Sequence, residues 1–381
     1  MSEARVNNLS NESSTGGPTI TGITTFSGTN FFVPPVGNTQ QRPDNPQKGE
    51  LRFNTDSKHL EYYRGNGIGW VEVEASNEEL DGGYRGFACG GMTPSESDTI
   101  DYITISTLAN AVDFGDLTDD REYLQMGPMA SRARCLFAGG QAFPSPNNEM
   151  NLIDYITFAT TGNASDFGDL VSGLTGSMGS CSDETRGIFS GGYDAPTGPK
   201  DILQYVTMAS TGNSVDFGGD LPVAVNNMYG ISSSTRGVFN AGSSDSNALS
   251  YITISTTGVD ASDFGDSPYK SRANQCAGGN SVRGIAAGGG TPSPGVNSMC
   301  YFTFATTGNA ADFGDLTAQT NGAGCVSSPT RMVVTGGKRD NSFSVTCDYV
   351  EIMTLGNAKD FGDTTAARMV MGYGSNGHGG L

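Results

Sequence analysis

A chain of 381 residues has room for two or three ordinary domains, or for one large repeat domain beside an attachment segment. Its 55 glycines follow no G-X-Y period, which excludes collagen and favours a turn-dense all-β chain. The formal charge of −19, with Lys and Arg scattered rather than gathered in a stripe, excludes nucleic acid and anionic lipid as partners, and no apolar run nears the roughly twenty residues of a membrane span.

In chain order, residues 1–48 read as an extended arm. Positions 10–30 are rich in Ser, Thr and Gly with isolated apolar residues, a composition that orders on a partner rather than alone. The opening lacks the charged-then-apolar pattern of a signal peptide, so no signal-directed export is expected. Phe31-Phe32-Val33-Pro34-Pro35 then forms a stiff apolar anchor. Residues 49–80 read as a small β-meander with strands at 50–53, 60–63 and 70–73, separated by turns at Asn54-Thr55-Asp56 and Arg64-Gly65-Asn66-Gly67. Three short strands bury little surface alone, so Leu51, Phe53, Leu60, Tyr62, Trp70 and Val73 are expected to pack against copies of themselves or a partner.

From residue 83 to 381 one unit is written six times. Its marker is Asp-Phe-Gly with a further Asp at once or one residue later. The phenylalanines are Phe114, Phe167, Phe217, Phe264, Phe313 and Phe361, at intervals of 53, 50, 47, 49 and 48 residues. A tyrosine precedes each by 12 residues, or by 13 in the fourth unit: Tyr102, Tyr155, Tyr205, Tyr251, Tyr301 and Tyr349. Segments such as Tyr155-Ile156-Thr157-Phe158 alternate as a pleated strand with two different faces requires, and Thr161-Gly162-Asn163 is turn chemistry. Another strand precedes each tyrosine, at 85–89, 134–138, 186–190, 236–240, 283–287 and 331–335, most ending in Gly-Gly. Small-residue stretches such as Met178-Gly179-Ser180-Cys181 suit a crowded innermost strand, which makes four strands per unit. The first unit starts at its second strand, while Met369-Val370-Met371-Gly372-Tyr373 follows the last. That C-terminal strand is therefore expected to complete the first unit and close a ring.

These features resemble the Kelch family: a strand ending in Gly-Gly, a strand ending near Tyr, an outer strand with an apolar anchor, and an Arg-containing link. The resemblance covers residues 83–381 and implies a six-bladed Kelch-like β-propeller, with the Phe of each Asp-Phe-Gly standing where the family has Trp. The doublet is broken to Ala241-Gly242 in the fourth unit. At the other end, Arg42-Pro43, 49–56 (Gly-Glu-Leu-Arg-Phe-Asn-Thr-Asp), Leu60-Glu61-Tyr62-Tyr63 and Gly69-Trp70 resemble a short module found near the ends of tailed-phage virion proteins, especially fibres and tail appendages. The opening at 5–10 and the repeated Tyr-Ile-Thr and Asp-Phe-Gly-Asp units look like structural proteins of marine cyanophages.

Other chemistries lack their parts. Asp-Phe-Gly recurs six times without the Gly-rich loop, catalytic loop or strand lysine of a kinase, so Phe is expected between blades and Asp on turn amides. The six units hold 12 of the 40 carboxylates, which makes the acidity architectural, and no catalytic residues are expected. No helix follows the Gly-Gly doublets to make a phosphate cradle. Cys89, Cys135, Cys181, Cys276, Cys300, Cys325 and Cys347 include no CxxC pair and read as buried thiols. With two histidines in the chain, neither a metal nor a cofactor is expected.

Length varies mainly between the doublet and the tyrosine, with gaps of 11, 15, 13, 9, 12 and 12 residues. Loops that vary on a fixed scaffold carry recognition. The candidates are 141–151, with Phe143, Asn147 and Asn148, and 193–200, with Tyr193 and Asp194. The resemblances imply a non-enzymatic virion protein, a tail fibre or exterior appendage. Its arm, with Phe31, Phe32, Leu51, Phe53, Tyr62 and Trp70, would meet other virion proteins or its own copies, a trimer being favoured. Its propeller would meet a host-surface glycan or protein. The alternative is a capsid decoration, neck or baseplate component.

Overall fold

The computed structural model divides into two compact units, Met1–Asn77 and Glu78–Leu381. The described residues are 34–73, 84–142, 149–171, 178–244, 246–269, 273–290 and 295–381. Among them the protein is all-β, built of small, largely antiparallel sheets, and the only helical segment is a 3-10 turn at Thr39–Gln41.

The smaller unit is a four-stranded sheet. Leu51–Asn54, His59–Tyr63 and Trp70–Val73 pair antiparallel in sequence order, and Val36–Gly37 adds a parallel edge on Leu51–Asn54. The sheet thus begins before residue 49, inside the stretch expected to be an extended arm.

In the larger unit each repeat contributes one sheet. The second strands are Arg85–Cys89, Arg134–Ala138, Arg186–Ser190, Arg236–Asn240, Arg283–Ala287 and Arg331–Thr335, all buried beyond their arginine. Each pairs with a tyrosine-bearing third strand, which pairs in turn with the strand carrying Asp-Phe-Gly. The register slips on that last pairing in every sheet. Ile153 lies opposite Gly168 but Asp154 opposite Asp166, leaving Phe167 as the extra, bulged residue. The bulge re-aims the ring out of the ladder. All six phenylalanines are buried, in clusters that combine their own sheet with the next: Phe114 lies with Phe137 and Phe158, and Phe264 with Phe302 and Phe304.

Three contacts repeat in all six sheets, the first within a sheet and the other two between neighbours. The second-strand arginine stacks on its own sheet's tyrosine, at 4.4 Å for Arg283 over Tyr301 and 5.2 Å for Arg85 over Tyr102, and that tyrosine meets its phenylalanine edge-on at about 6 Å. The same arginine donates to a carbonyl of the next sheet: Arg85 to Phe158, Arg134 to Met208, Arg186 to Ile254, Arg236 to Phe304 and Arg283 to Ile352. Arg331 of the sixth sheet donates to Ile105 of the first at 3.0 Å, so the set is cyclic. The third contact gives the second aspartate of each motif a role other than the expected turn capping, which the first aspartate keeps in the third motif, where Asp216 accepts from the Gly218 amide at 2.8 Å. The amide, not the carboxylate, of the second Asp is the engaged group in each motif, and the acceptor is Asn163, Asn213, Asp260, Asn309 or Asn357 of the next sheet's turn. Asn110 does the same for Asp363 at 3.1 Å and closes this cycle too. The motif glycine is required because backbone passes so near: a Cβ on Gly314, at φ +140°, would lie 2.5 Å from the Gly356 carbonyl oxygen.

The first sheet is completed from the C-terminus by Gly372–Ser375, which pairs with Arg85–Cys89. The strand starts later than expected because Val370 takes a positive φ of 53°, and Met369 instead bridges Met92. Asn376 then accepts from the Arg85 amide at 2.8 Å, the part that Ser131, Asp183, Ser233, Asn280 and Ser328 play for the arginines of the other sheets. Four strands per unit is not uniform. The second sheet has three regular strands, its first place taken by an irregular segment through Gly127 and Pro128, where proline has no amide to give. The fifth gains Lys338–Arg339 and Ser342–Phe343 from the sixth repeat's loop.

The tail continues inward. His378 is buried: Nε2 lies 2.9 Å from the Ala130 carbonyl oxygen and Nδ1 accepts from the Gly380 amide at 3.1 Å. Burial pushes its pKa down to about 4, so the ring is neutral and carries its proton on Nε2. All seven cysteines are buried and none is in a disulfide, and burial pushes the Cys347 thiol up to about 12.

Candidate interaction surfaces

Alternation along the three main strands of the smaller unit gives its sheet two unlike faces. One holds Arg52, Asn54, Glu61, Tyr63 and Trp70. Glu61 is fully buried, paired to Arg42 at 2.6 Å and to Arg52 at 3.6 Å, and it accepts from Asn54 at 3.1 Å. The hydrogen bond from Arg42 is the main cause that holds its carboxyl below the usual range. Both guanidiniums lie about 6 Å over the Trp70 ring, which also meets Tyr63 at 5.5 Å. The segment after Val36 covers this face. Asn38 caps the turn through Gln41, and its carbonyl accepts from Arg52 at 3.0 Å.

The opposite face is apolar. The register sets Leu51 beside Tyr62 and Val71, and Val36 beside Phe53, Leu60 and Val73. Val36 is 59%, Leu51 42% and Val73 39% exposed, and the other four are half-buried. Of the residues expected to form one contact surface, Leu51, Phe53, Leu60, Tyr62 and Val73 share this face. Trp70 does not; it belongs to the charged cluster behind. Alternation placed the apolar side chains together, but Arg42, Arg52 and Glu61 escaped the reading because their partners come from different strands. Phe31 and Phe32 lie outside the described residues.

Of the loop candidates, Phe143, Asn147 and Asn148 also lie outside the described residues. Tyr193–Asp194 forms a two-residue strand folded back on Gly198 and Pro199. Asp194 accepts from Thr197 at 2.7 Å and pairs with Lys200 at 3.2 Å; the Thr197 bond leads in lowering its pKa. The Ala195 amide donates to Glu149 at 3.1 Å, so the 193–200 turn touches the other loop. Shelves of about 440, 360 and 570 Å³ recur beside Tyr155, Tyr251 and Tyr349, each with its tyrosine, nearby Thr hydroxyls and the turn that supplies the inter-sheet acceptor. Among the described residues no group of three or more His, Cys, Asp or Glu is placed to hold a metal ion. No helix among them is long and apolar enough to cross a membrane.

No protein-family model matches the chain, and no curated protein matches it.

Proposed function

We propose that the six sheets are the blades of a Kelch-like β-propeller, and that the protein is a virion structural component of a tailed phage, a tail fibre or exterior appendage. The propeller reading is supported by the cyclic contacts, above all Arg331 to Ile105 and Asp363 to Asn110. The appendage reading rests on the module-like sequence at 42–70 and on one observation: the small sheet turns its charges to one side, neutralised among themselves, and leaves the other face apolar and uncharged. Such a face brings no charge of its own against a second copy of itself. Residues 1–80 thus self-associate, as a trimer in the favoured form, or dock on other virion proteins. The loops between second and third strands meet a host-surface glycan or protein, with Tyr193 and Asp194 in the contact. The protein works by binding, not by catalysis.

Electron microscopy of particles labelled with an antibody to residues 84–381 tests this. Label at the distal end of a fibre or appendage is expected. Label over the head, neck or baseplate would overturn the appendage reading in favour of a decoration or internal structural part. The six-fold closure is tested separately by a crystal structure of the chain.

A further inference from the structure

The clefts between neighbouring sheets are built alike, and one differs in charge. Between the first and second sheets lies an opening lined among others by Arg85, Arg132, Thr157, Phe158 and Asn376. Arg85 is fixed there, its guanidinium on the Tyr102 ring at 5.2 Å and donating to the Phe158 carbonyl at 2.7 Å, so little side-chain entropy remains to be lost on binding. Arg132 stands two residues before the second-strand arginine of its sheet. In the third to sixth sheets that position is Glu184, Ser234, Ser281 and Pro329, and in the first it is Gly83. The cleft is therefore the one junction whose sequence puts two arginines at these places. Glu184 offsets that charge only in part: it accepts from the Arg132 backbone amide at 3.1 Å, and its carboxylate lies 3.9 Å from Nε of a side chain that is 58% exposed.

We infer that this cleft binds an oxyanion, a sulfate or carboxylate group carried by a ligand. One rigid guanidinium and one adjustable one make the donor fork, and the Thr157 hydroxyl and Asn376 amide line the cleft beside it. Guanidinium is suited to planar or tetrahedral oxyanions because its N–H groups meet two oxygens at once. The source is a free inorganic anion or an acidic saccharide, and the chemistry at the cleft is the same for both. The inference rests on the two arginines and stands or falls apart from the virion reading.

The test is calorimetric titration of the full chain with sodium sulfate and with a sulfated disaccharide, against sodium chloride at matched ionic strength. Saturable sulfate binding in the millimolar range is expected, weakened at least about tenfold in Arg132→Ser, a side chain that the fourth and fifth sheets already carry at this position. Glu184→Gln, which frees the Arg132 guanidinium, should tighten it. A disaccharide that binds more tightly than sulfate identifies a saccharide as the source, and equal affinities identify a free anion. No saturation above the chloride control, or equal affinity in wild type and Arg132→Ser, overturns the proposal.

Discussion

Replacing Arg368 by methionine isolates the chemistry that ties the end of the chain to its first sheet. The guanidinium pairs with Asp101 at 2.6 Å and donates to the Gly90 and Thr99 carbonyls at 3.0 and 2.7 Å, and both charged side chains are 1% exposed. Methionine keeps most of the buried volume but leaves the Asp101 carboxylate with only Thr365 as a partner. Breaking a buried pair on one side costs about 3–5 kcal/mol. A unit of roughly 300 residues unfolds with about 0.6 kcal/mol/K of entropy, so the melting temperature should fall by about 5–8 °C. The double variant Asp101→Ser with Arg368→Met buries no charge and should recover at least half of that loss. Serine is what the fourth sheet carries at this place, as Ser250 before Tyr251. Thermal unfolding followed by circular dichroism reads both. A single variant melting within about 2 °C of wild type, or a double variant as unstable as the sum of the two singles, would refute the reasoning.

Gly314→Ala should destabilise by about 2 kcal/mol or more, since its Cβ meets the Gly356 carbonyl, whereas Gly162→Ala, at φ +145° with open space around it, carries backbone strain alone; paired melts measure the difference. Glu61 has its pKa lowered by the Arg42 hydrogen bond, so its contribution is present above the unfolded value near 4.3 and is lost as pH falls below it. Trp70, the single tryptophan, should report this acid transition by fluorescence, and Glu61→Gln should remove it. His378 takes its proton near pH 4 when folded and near 6.5 when unfolded, so its contribution is full above about 6.5 and falls by up to about 3 kcal/mol towards pH 4. Hydrogen exchange of the Gly380 amide at pH 7 and 5 should show that loss, and His378→Gln should abolish the pH dependence. Leu51→Glu with Val73→Glu should turn the full chain into monomers by light scattering if the apolar face is the self-association surface.

How far the sequence could be read depended on whether a partner lay within one repeat. The second strands are found at the residues expected, because an arginine opens each and a positive-φ glycine, such as Gly90 or Gly139, follows each except the fourth, where Ala241 stands. The burial of the motif phenylalanines was legible from their recurrence at a fixed distance after the tyrosine, although the rings they meet belong partly to the next repeat. The role of Asn163 or Asn357 was not: its partner is an amide more than forty residues earlier, in the preceding repeat, and no local pattern links the two. Trp70, grouped with the apolar residues by hydrophobicity, lies on the other face, where its place in the strand sets it with Glu61 and Arg52. The buried tail around His378 was also missed. A Gly-His-Gly-Gly run has no apolar periodicity, and it is held by backbone groups of other repeats.

The first sheet draws its opening strand from residues 372–375 and its last strands from residues 99–116. On a ribosome this is the first of the six repeat sheets to be begun and the last to be finished. The second to sixth sheets can form as they emerge, while Arg85–Cys89 waits with one edge unpaired until residues 372–375 appear. Closure over so long a separation is slow, which makes it the step at which a nascent chain is most exposed to pairing with a neighbour instead of with its own end.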